Sequence, residues 1–281
     1  MAAITAAAVK SLRERTGLPM MDCKQALVAA DGDEEKAVEE LRKKGAKTLE
    51  RRSGRATSFG RMGIFVDPDS KVGAMVELKC ESAPVAKNEE FVQLADDLAK
   101  QLATGPGAET AEELLAQPCP SQDGTTLAEV KDEMFNRMRE VFNIGRIRRV
   151  DGHCGGYSHN LGTTSGVLIV AEGGSQEALK DVAMHVTALK PAVLKVEELD
   201  SETVAKEREI LSAAAREEGK PENIIEKMVD GRMRNYYAQH VLLEQPFVKD
   251  DKMTVDKFAA QNGMEISEFI HWELEAVEED E

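Results

Sequence analysis

"VGAMVELKCESAPVAKNEEF", residues 72–91, changes its periodicity halfway, and that change decides the fold class. Up to Cys80 the apolar residues recur at every second position (Val72, Ala74, Val76, Leu78, Cys80), with Glu77 and Lys79 on the other parity. This is the two-residue period of a strand with unlike faces. Asn88, followed by Glu89 and Glu90, then forms an N-cap, and "FVQLADDLAKQLA" takes up helical spacing. Between strand and helix lie Ser82, Ala83 and Pro84, small and stiff, with neither charge nor ring. Such junctions are where a rigid scaffold displays its working side chains, and this one displays little chemistry.

Working outward, "GRMGIFVDPDSK" supplies a preceding strand and a turn, so a hairpin leads into the helix. The pattern returns later. "GGYSHNLGTTSGVLIVAEGG" reads as two strands around a Gly/Thr turn, and "SQEALKDVAMHVTALK" as the following helix. An α+β fold with two similar hairpin-plus-helix core subdomains is expected, one over 61–150 and one over 151–200 completed by 241–263. Within the first, 104–125 is rich in Pro and Gly and reads as a surface excursion, after which "TLAEVKDEMFNRMREVFN" regains helical spacing.

Residues 1–47 read as a compact three-helix unit, with Thr5, Asp22 and Asp33 near helix starts and Gly17, Gly32 and Gly45 as stops. Residues 48–60 are polar and weakly periodic, and a linker is expected. The stretch 201–240 reads as two charged amphipathic helices around "EGKPEN". Val204, Ile210 and Leu211 on one arm, with Ile224, Ile225, Met228 and Met233 on the other, leave a narrow seam. The pair should project as an antiparallel arm. A last helix with an acidic tail is expected over 264–281.

The 281 residues carry a formal net charge of −16, which disfavours binding to a phosphate backbone. Aromatic residues make up only 4% and Trp272 is the single Trp, so no base-stacking platform is expected. No apolar run approaches a membrane span, and the N-terminus lacks the order of a signal peptide. The four cysteines are scattered without a CxxC pair, consistent with reduced thiols in a cytoplasmic protein.

No reaction is legible. His153, Cys154 and His159 in "GHCGGYSHN" fit no zinc spacing and read as a strand edge with turn glycines. "EGGSQE" lacks the Lys-Ser/Thr of a P-loop and reads as a helix-capping turn. His185 lies among apolar helical positions and reads as a core histidine. Met20 and Met21 follow Pro19 in the turn between the first two helices, where exposed methionines suit an adaptable partner surface, with simple packing as the alternative. The residues thus describe a modular, non-enzymatic protein equipped for protein contacts, with no cofactor or metal.

The order of motifs resembles the elongation factor Ts family of bacterial translation. "ITAAAVKSLRERTGLPMMDCKQAL" with "DGDEEKAVEELRKKG" is similar to the family's N-terminal ubiquitin-associated-like domain. "CESAPVAK" falls where the family has Cys-Glu/Gln-Thr-Asp-Phe-Val-Ala-Lys/Arg, and "IRRV", "VAMHVTALKP", "GKPENIIEKMVDGRM" and "EQPFVKDD" follow in family order. The resemblance implies a coiled-coil hairpin at 201–240 and a C-terminal module that leans on the partner's GTPase domain. It further implies a guanine-nucleotide exchange factor that grips elongation factor Tu, distorts its phosphate and magnesium site, and speeds loss of GDP. Arg13, Met20, Met21 and His159 match positions facing that GTPase domain, and Val248 matches a contact to the partner's third domain. Ser82, Ala83, Pro84 and Val85 take the place of the intruding tip, in which the family uses a ring as a wedge and a carboxylate to disturb the magnesium region. Both groups are missing, and the family's Ile-Gly-Glu-Asn-Ile before "IRRV" is altered to "VFNIG". Exchange through the remaining contacts is one reading; a chaperone-like stabiliser of elongation factor Tu with weak exchange is the alternative, and a different partner or a homodimer stays open.

Overall fold

Helix α1 (Ala6–Thr16) begins at Thr5, whose hydroxyl accepts the Ala8 N–H, and stops at Gly17 in the left-handed region. Helix α2 (Met20–Ala29) and α3 (Glu34–Arg52) close a small core around Leu12, Cys23, Leu27 and Leu41. The structure, a computed structural model, describes residues 4–161, 163–219 and 221–274. Two expectations change here. Met20 and Met21 lie in the first turn of α2 rather than in the preceding turn. Helix α3 does not stop at Gly45 but runs through the first part of the expected linker to Arg52. Its last turns find partners that a local reading cannot see: Leu49 packs against the larger core, and a side chain at Gly45 would collide with Asn136.

Strand β1 (Phe59–Asp67) turns at Asp67, whose carboxylate accepts the N–H groups of Asp69 and Ser70, and pairs antiparallel with β2 (Val72–Cys80). A one-turn helix α4 (Ala83–Ala86) then leads to α5 (Glu89–Thr104), capped by Asn88. Short α6 (Ala111–Leu115) sits within the Pro/Gly-rich excursion, and α7 (Leu127–Met138) starts with a reciprocal capping box between Thr126 and Glu129. Strand β3 (Asn143–Asp151) completes a three-stranded sheet of order β1-β2-β3.

The second hairpin joins β4 (Cys154–Leu161) to β5 (Thr163–Gly173), and α8 (Gln176–Leu189) follows from its Ser175 cap. Helices α9 (Ser201–Glu217) and α10 (Glu222–His240) pack along one another. Their seam differs from the sequence reading. Ala215, Ile225, Val229 and Met233 are buried with Val204, Leu211, Tyr236 and Tyr237 against them, whereas Ile210 and Ile224 are exposed. Small β6 (Pro246–Phe247), β7 (Asp250–Thr254) and α11 (Val255–Gln261) return the chain to the second sheet.

The expected last helix is instead strand β8 (Met264–Glu273), hydrogen-bonded along β5 in a sheet of order β4-β5-β8. The remainder of that expectation, 275–281, lies outside the described residues. A bulge at Ser267 explains the misreading, because Val170 opposes Glu268 while Ala171 opposes Ile266. Met264 and Ile266 therefore face one core by even parity, and Phe269 faces it by odd parity. The bulge erases the two-residue period from the sequence.

The layers run helix, sheet, sheet, helix. The even residues of β2 meet Phe91, Leu94 and Leu98 of α5. Its opposite face meets the second sheet through Met75, Val150, Cys154 and Leu168. On the far side Val167 and Ile169 of β5 pack on Leu179, Val182 and Val186 of α8. The sheets approach closely because Gly166 has no side chain: a Cβ there would lie 2.6 Å from Met75 Sδ and 2.9 Å from Met62 Cβ. Strand β2 is consequently buried on both faces rather than half exposed.

Candidate functional site

The β2–α4 junction is a held turn. Pro84 occupies the first turn of α4 and is exposed, while Ala83 and Val85 are partly buried and Val85 leans on the first core. Pro suits this place because its missing N–H has no helical partner there. Ser82 donates its hydroxyl to Glu140 Oε1 at 2.5 Å and its N–H to Glu140 Oε2 at 3.1 Å. In return Glu81 Oε1 accepts the Val141 N–H at 2.8 Å, and Glu81 Oε2 accepts Arg55 Nη1 at 2.9 Å. Burial would raise the Glu81 carboxyl, but the Val141 and Arg55 bonds hold it below the ordinary range. Cys80, just before the turn, is buried and its thiol is pushed up to about 12 by that burial, so it is no nucleophile.

His159 and Val248, 89 residues apart in the chain, line the same cleft of about 520 Å³. Tyr157, Met184, Thr187, Ala188, Lys190 and Glu273 are among the other residues that line it. The hydroxyl of Tyr157 lies 3.2 Å from His159 Nδ1, and Lys190 Nζ pairs with Glu273 at 2.6 Å. Val248 is 48% exposed, an apolar side chain at the rim. Its position is set from below by His185. The Val248 N–H donates to His185 Nδ1 at 3.1 Å, so the ring proton sits on Nε2 and is donated to Gln245 Oε1 at 2.9 Å. Burial holds His185 below the usual histidine range, with the Gln245 bond opposing, which keeps this neutral tautomer in place.

Met20 and Met21, at 50% and 61% exposure, form an apolar patch at the start of α2, and Arg13 is exposed on α1. Asp22, next to Met21, accepts Arg139 Nη2 at 2.8 Å and Lys44 Nζ at 2.8 Å. The patch is thereby joined to the residue preceding Glu140.

Register places these surfaces at one end of the double sheet. Side chains at Gly73 and Gly156 would meet Cys154 and Ile64, and one at Gly166, opposite Ser158, would meet Met62. Strand β4 therefore runs alongside β2 in the same direction, and its His159 end lies where β2 delivers Ser82. Among the described residues, no hydrogen bond or ion pair ties the Arg13 side chain to the turn or the cleft, and none joins the cleft to the turn. Sequence reading missed Glu140, Arg139, Tyr157 and Lys190. Only Tyr157 carried a local signal, its same-face spacing from His159 on one strand. Among the described residues, no group of acidic, His and Cys side chains could hold a metal ion, and no helix is long and apolar enough to cross a membrane.

Comparison with known proteins points one way. A family model described as "Elongation factor TS" matches residues 84–276. Elongation factor Ts of Methylococcus capsulatus is 43% identical over 282 aligned residues, covering 99% of this chain and 94% of the relative. That of Kineococcus radiotolerans is 42% identical, covering 97% and 98%. That of Clostridium kluyveri is 41% identical, covering 99% and 96%.

Proposed function

Because the chain belongs to the elongation factor Ts family, we propose that it is a guanine-nucleotide exchange factor of translation elongation, binding elongation factor Tu·GDP and promoting release of GDP. It performs no bond chemistry. Exchange is a coupling free energy: a factor that binds the nucleotide-free partner more tightly than the GDP form lowers GDP affinity by the same ratio. The proposed grip uses Met20, Met21 and Arg13, with His159, on the GTPase domain, and Val248 on the third domain. The turn at Ser82–Val85 acts as the intruder toward the phosphate and magnesium site.

The observation that carries this reading is the held turn. The ring and carboxylate of the family tip are absent, yet Ala83 and Pro84 form an ordered helical turn whose start is fixed by Glu140. A fixed backbone displaces a partner element, whereas a loose one yields to it. The missing groups favour a second reading, a stabiliser of elongation factor Tu with weak exchange.

Stopped-flow release of a fluorescent GDP from elongation factor Tu of the same cell separates the two. Dose-dependent acceleration supports exchange. Binding without acceleration overturns it in favour of the stabiliser, and Ala83→Asp with Pro84→Phe should then restore the rate.

A further inference from the structure

We infer that Arg139 and Glu140 form a brace that sets the turn at a fixed displacement from the Met20/Met21 patch, and that Glu140 is a positioning residue for nucleotide exchange. The rate consequence rests on the exchange reading above; the brace itself rests on geometry.

None of the four residues of α4 is fully buried, and a single helical turn has no stability of its own. Packing alone therefore holds the turn weakly, and its hydrogen bonds decide its position. Ser82 is engaged at every polar group. Its N–H and hydroxyl go to the two oxygens of Glu140, and its carbonyl accepts the Cys80 thiol at 3.3 Å and the Ala86 N–H at 3.2 Å. The Ser82 hydroxyl is thus an anchor inside the molecule. Glu81 and Val141 repeat the link in the opposite sense at 2.8 Å, so two adjacent residues grasp two adjacent residues.

Arg139 supplies the other half. It caps α7 in the left-handed conformation, φ 61°, with its N–H on the Phe135 carbonyl at 2.7 Å. Its carbonyl accepts Arg52 Nη1 at 2.7 Å, and its guanidinium holds Asp22 at 2.8 Å. Consecutive residues, 139 and 140, therefore reach the methionine-bearing helix on one side and the turn on the other. Charge-assisted, two-point hydrogen bonds of this kind fix geometry as well as supply energy.

The test uses the full chain. In stopped-flow GDP release at increasing factor concentration, Glu140→Ala should lower the saturating rate by about tenfold while the half-saturating concentration moves by less than about threefold. Glu140→Gln, which keeps one acceptor oxygen, should recover part of the loss, and Ser82→Ala should fall between. An unchanged saturating rate, or a half-saturating concentration that rises in step with the loss, overturns the positioning role. Hydrogen exchange of the free protein decides the brace separately. Amides of 86–88, which bond back to Ser82, Pro84 and Val85, should exchange about tenfold faster in Glu140→Ala and Ser82→Ala, with those within α5 unchanged. If the wild-type factor binds without accelerating release, the exchange reading fails, and unaltered exchange at Ala86 would then overturn the brace as well.

Discussion

Replacing Arg146 by Ala tests what fastens the two sheets at their working end. Glu77 lies mid-strand in β2 and is only 4% exposed. A bulge sets two residues of β3, Gly145 and Arg146, opposite it. Arg146 donates from its N–H at 3.2 Å, Nε at 3.1 Å and Nη2 at 2.8 Å. The approach requires Gly145, since a Cβ there would lie 2.2 Å from Glu77 Oε2. The same guanidinium reaches the second sheet, donating to the Glu273 carbonyl at 2.7 Å and lying 5.0 Å from the Trp272 ring centre. Breaking one side of a buried pair costs about 3–5 kcal/mol. Because the Arg146 side chain is 42% exposed, water compensates part of this, and about 2–3 kcal/mol is expected. Replacing both partners by Met should leave stability within about 1 kcal/mol of wild type, because no uncompensated charge remains. Urea unfolding followed by circular dichroism measures all the variants. In the wild type, burial would raise the Glu77 carboxyl, but Arg146 pulls it below the ordinary 4.5, so its contribution is present above that value and lost as pH falls through the lower folded one. In Arg146→Ala burial is opposed only by the remaining backbone N–H at 146 and by the charge of Lys79, the smallest of the lowering influences, and the carboxyl rises. The deficit should therefore be largest at pH 7 and shrink as pH falls toward the ordinary carboxylate range. A deficit under about 1 kcal/mol at pH 7, or a double variant as unstable as the summed singles, would refute the reasoning.

Two further outcomes follow from buried groups. His185 and His271 are held below the ordinary 6.5 mainly by burial, with Lys190 and Arg146 also lowering His271 and Glu273 opposing them. The unfolded chain takes up protons there first, so urea stability should fall as pH drops below 6.5, by at most about 1.4 kcal/mol per pH unit for each histidine, and His271→Gln should reduce the slope. All four cysteines are buried, and burial pushes Cys80 up to about 12 and Cys154 to about 11. An aromatic disulfide reagent should label the native thiols at least about 100-fold more slowly than the unfolded ones, and labelling of any of them at the unfolded rate contradicts the packing.

Most strands and helices were legible because one periodicity held across each. The hairpin strands show it, and so do α5 and α8, whose starts coincide with the cap read at Asn88 and the capping turn read in "EGGSQE". Failures came where the period was broken or the stabilising partner was remote. Ser267 inserts one residue into β8 and inverts the parity of everything after it. Helix α3 continues past Gly45 because α7 is there to receive it, with Arg42 paired to Glu133 at 3.1 Å. In the α9–α10 pair, Val204, Leu211, Ile225 and Met233 of the expected seam do pack there, but helical spacing also admitted Ile210 and Ile224, which are exposed, and passed over Val229, which only packing selects.

The site divides along the same line. Residue types that advertise contact, such as the exposed methionines of α2 and Val248 after "QPF", are read from local context alone. What a side chain does inside the molecule is not. In the sequence Ser82 is only a small polar residue in a tip that has lost its ring and its carboxylate. Its partner lies 58 residues away in a segment whose own sequence, "MREVFN", reads only as the end of a helix. Glu140 has no helical neighbour that makes it unusual, and nothing within a window of either residue links them. Only the pairing of β2 with β3 brings the end of α7 to the end of β2, and with it a carboxylate of the right length to Ser82. Substitutions at such a turn are therefore misjudged when each is compared with its counterpart singly. Removing a ring and a charge from the tip changes what it presents, while the pair that fixes the tip is Ser82 at its start and Glu140 beyond the end of α7.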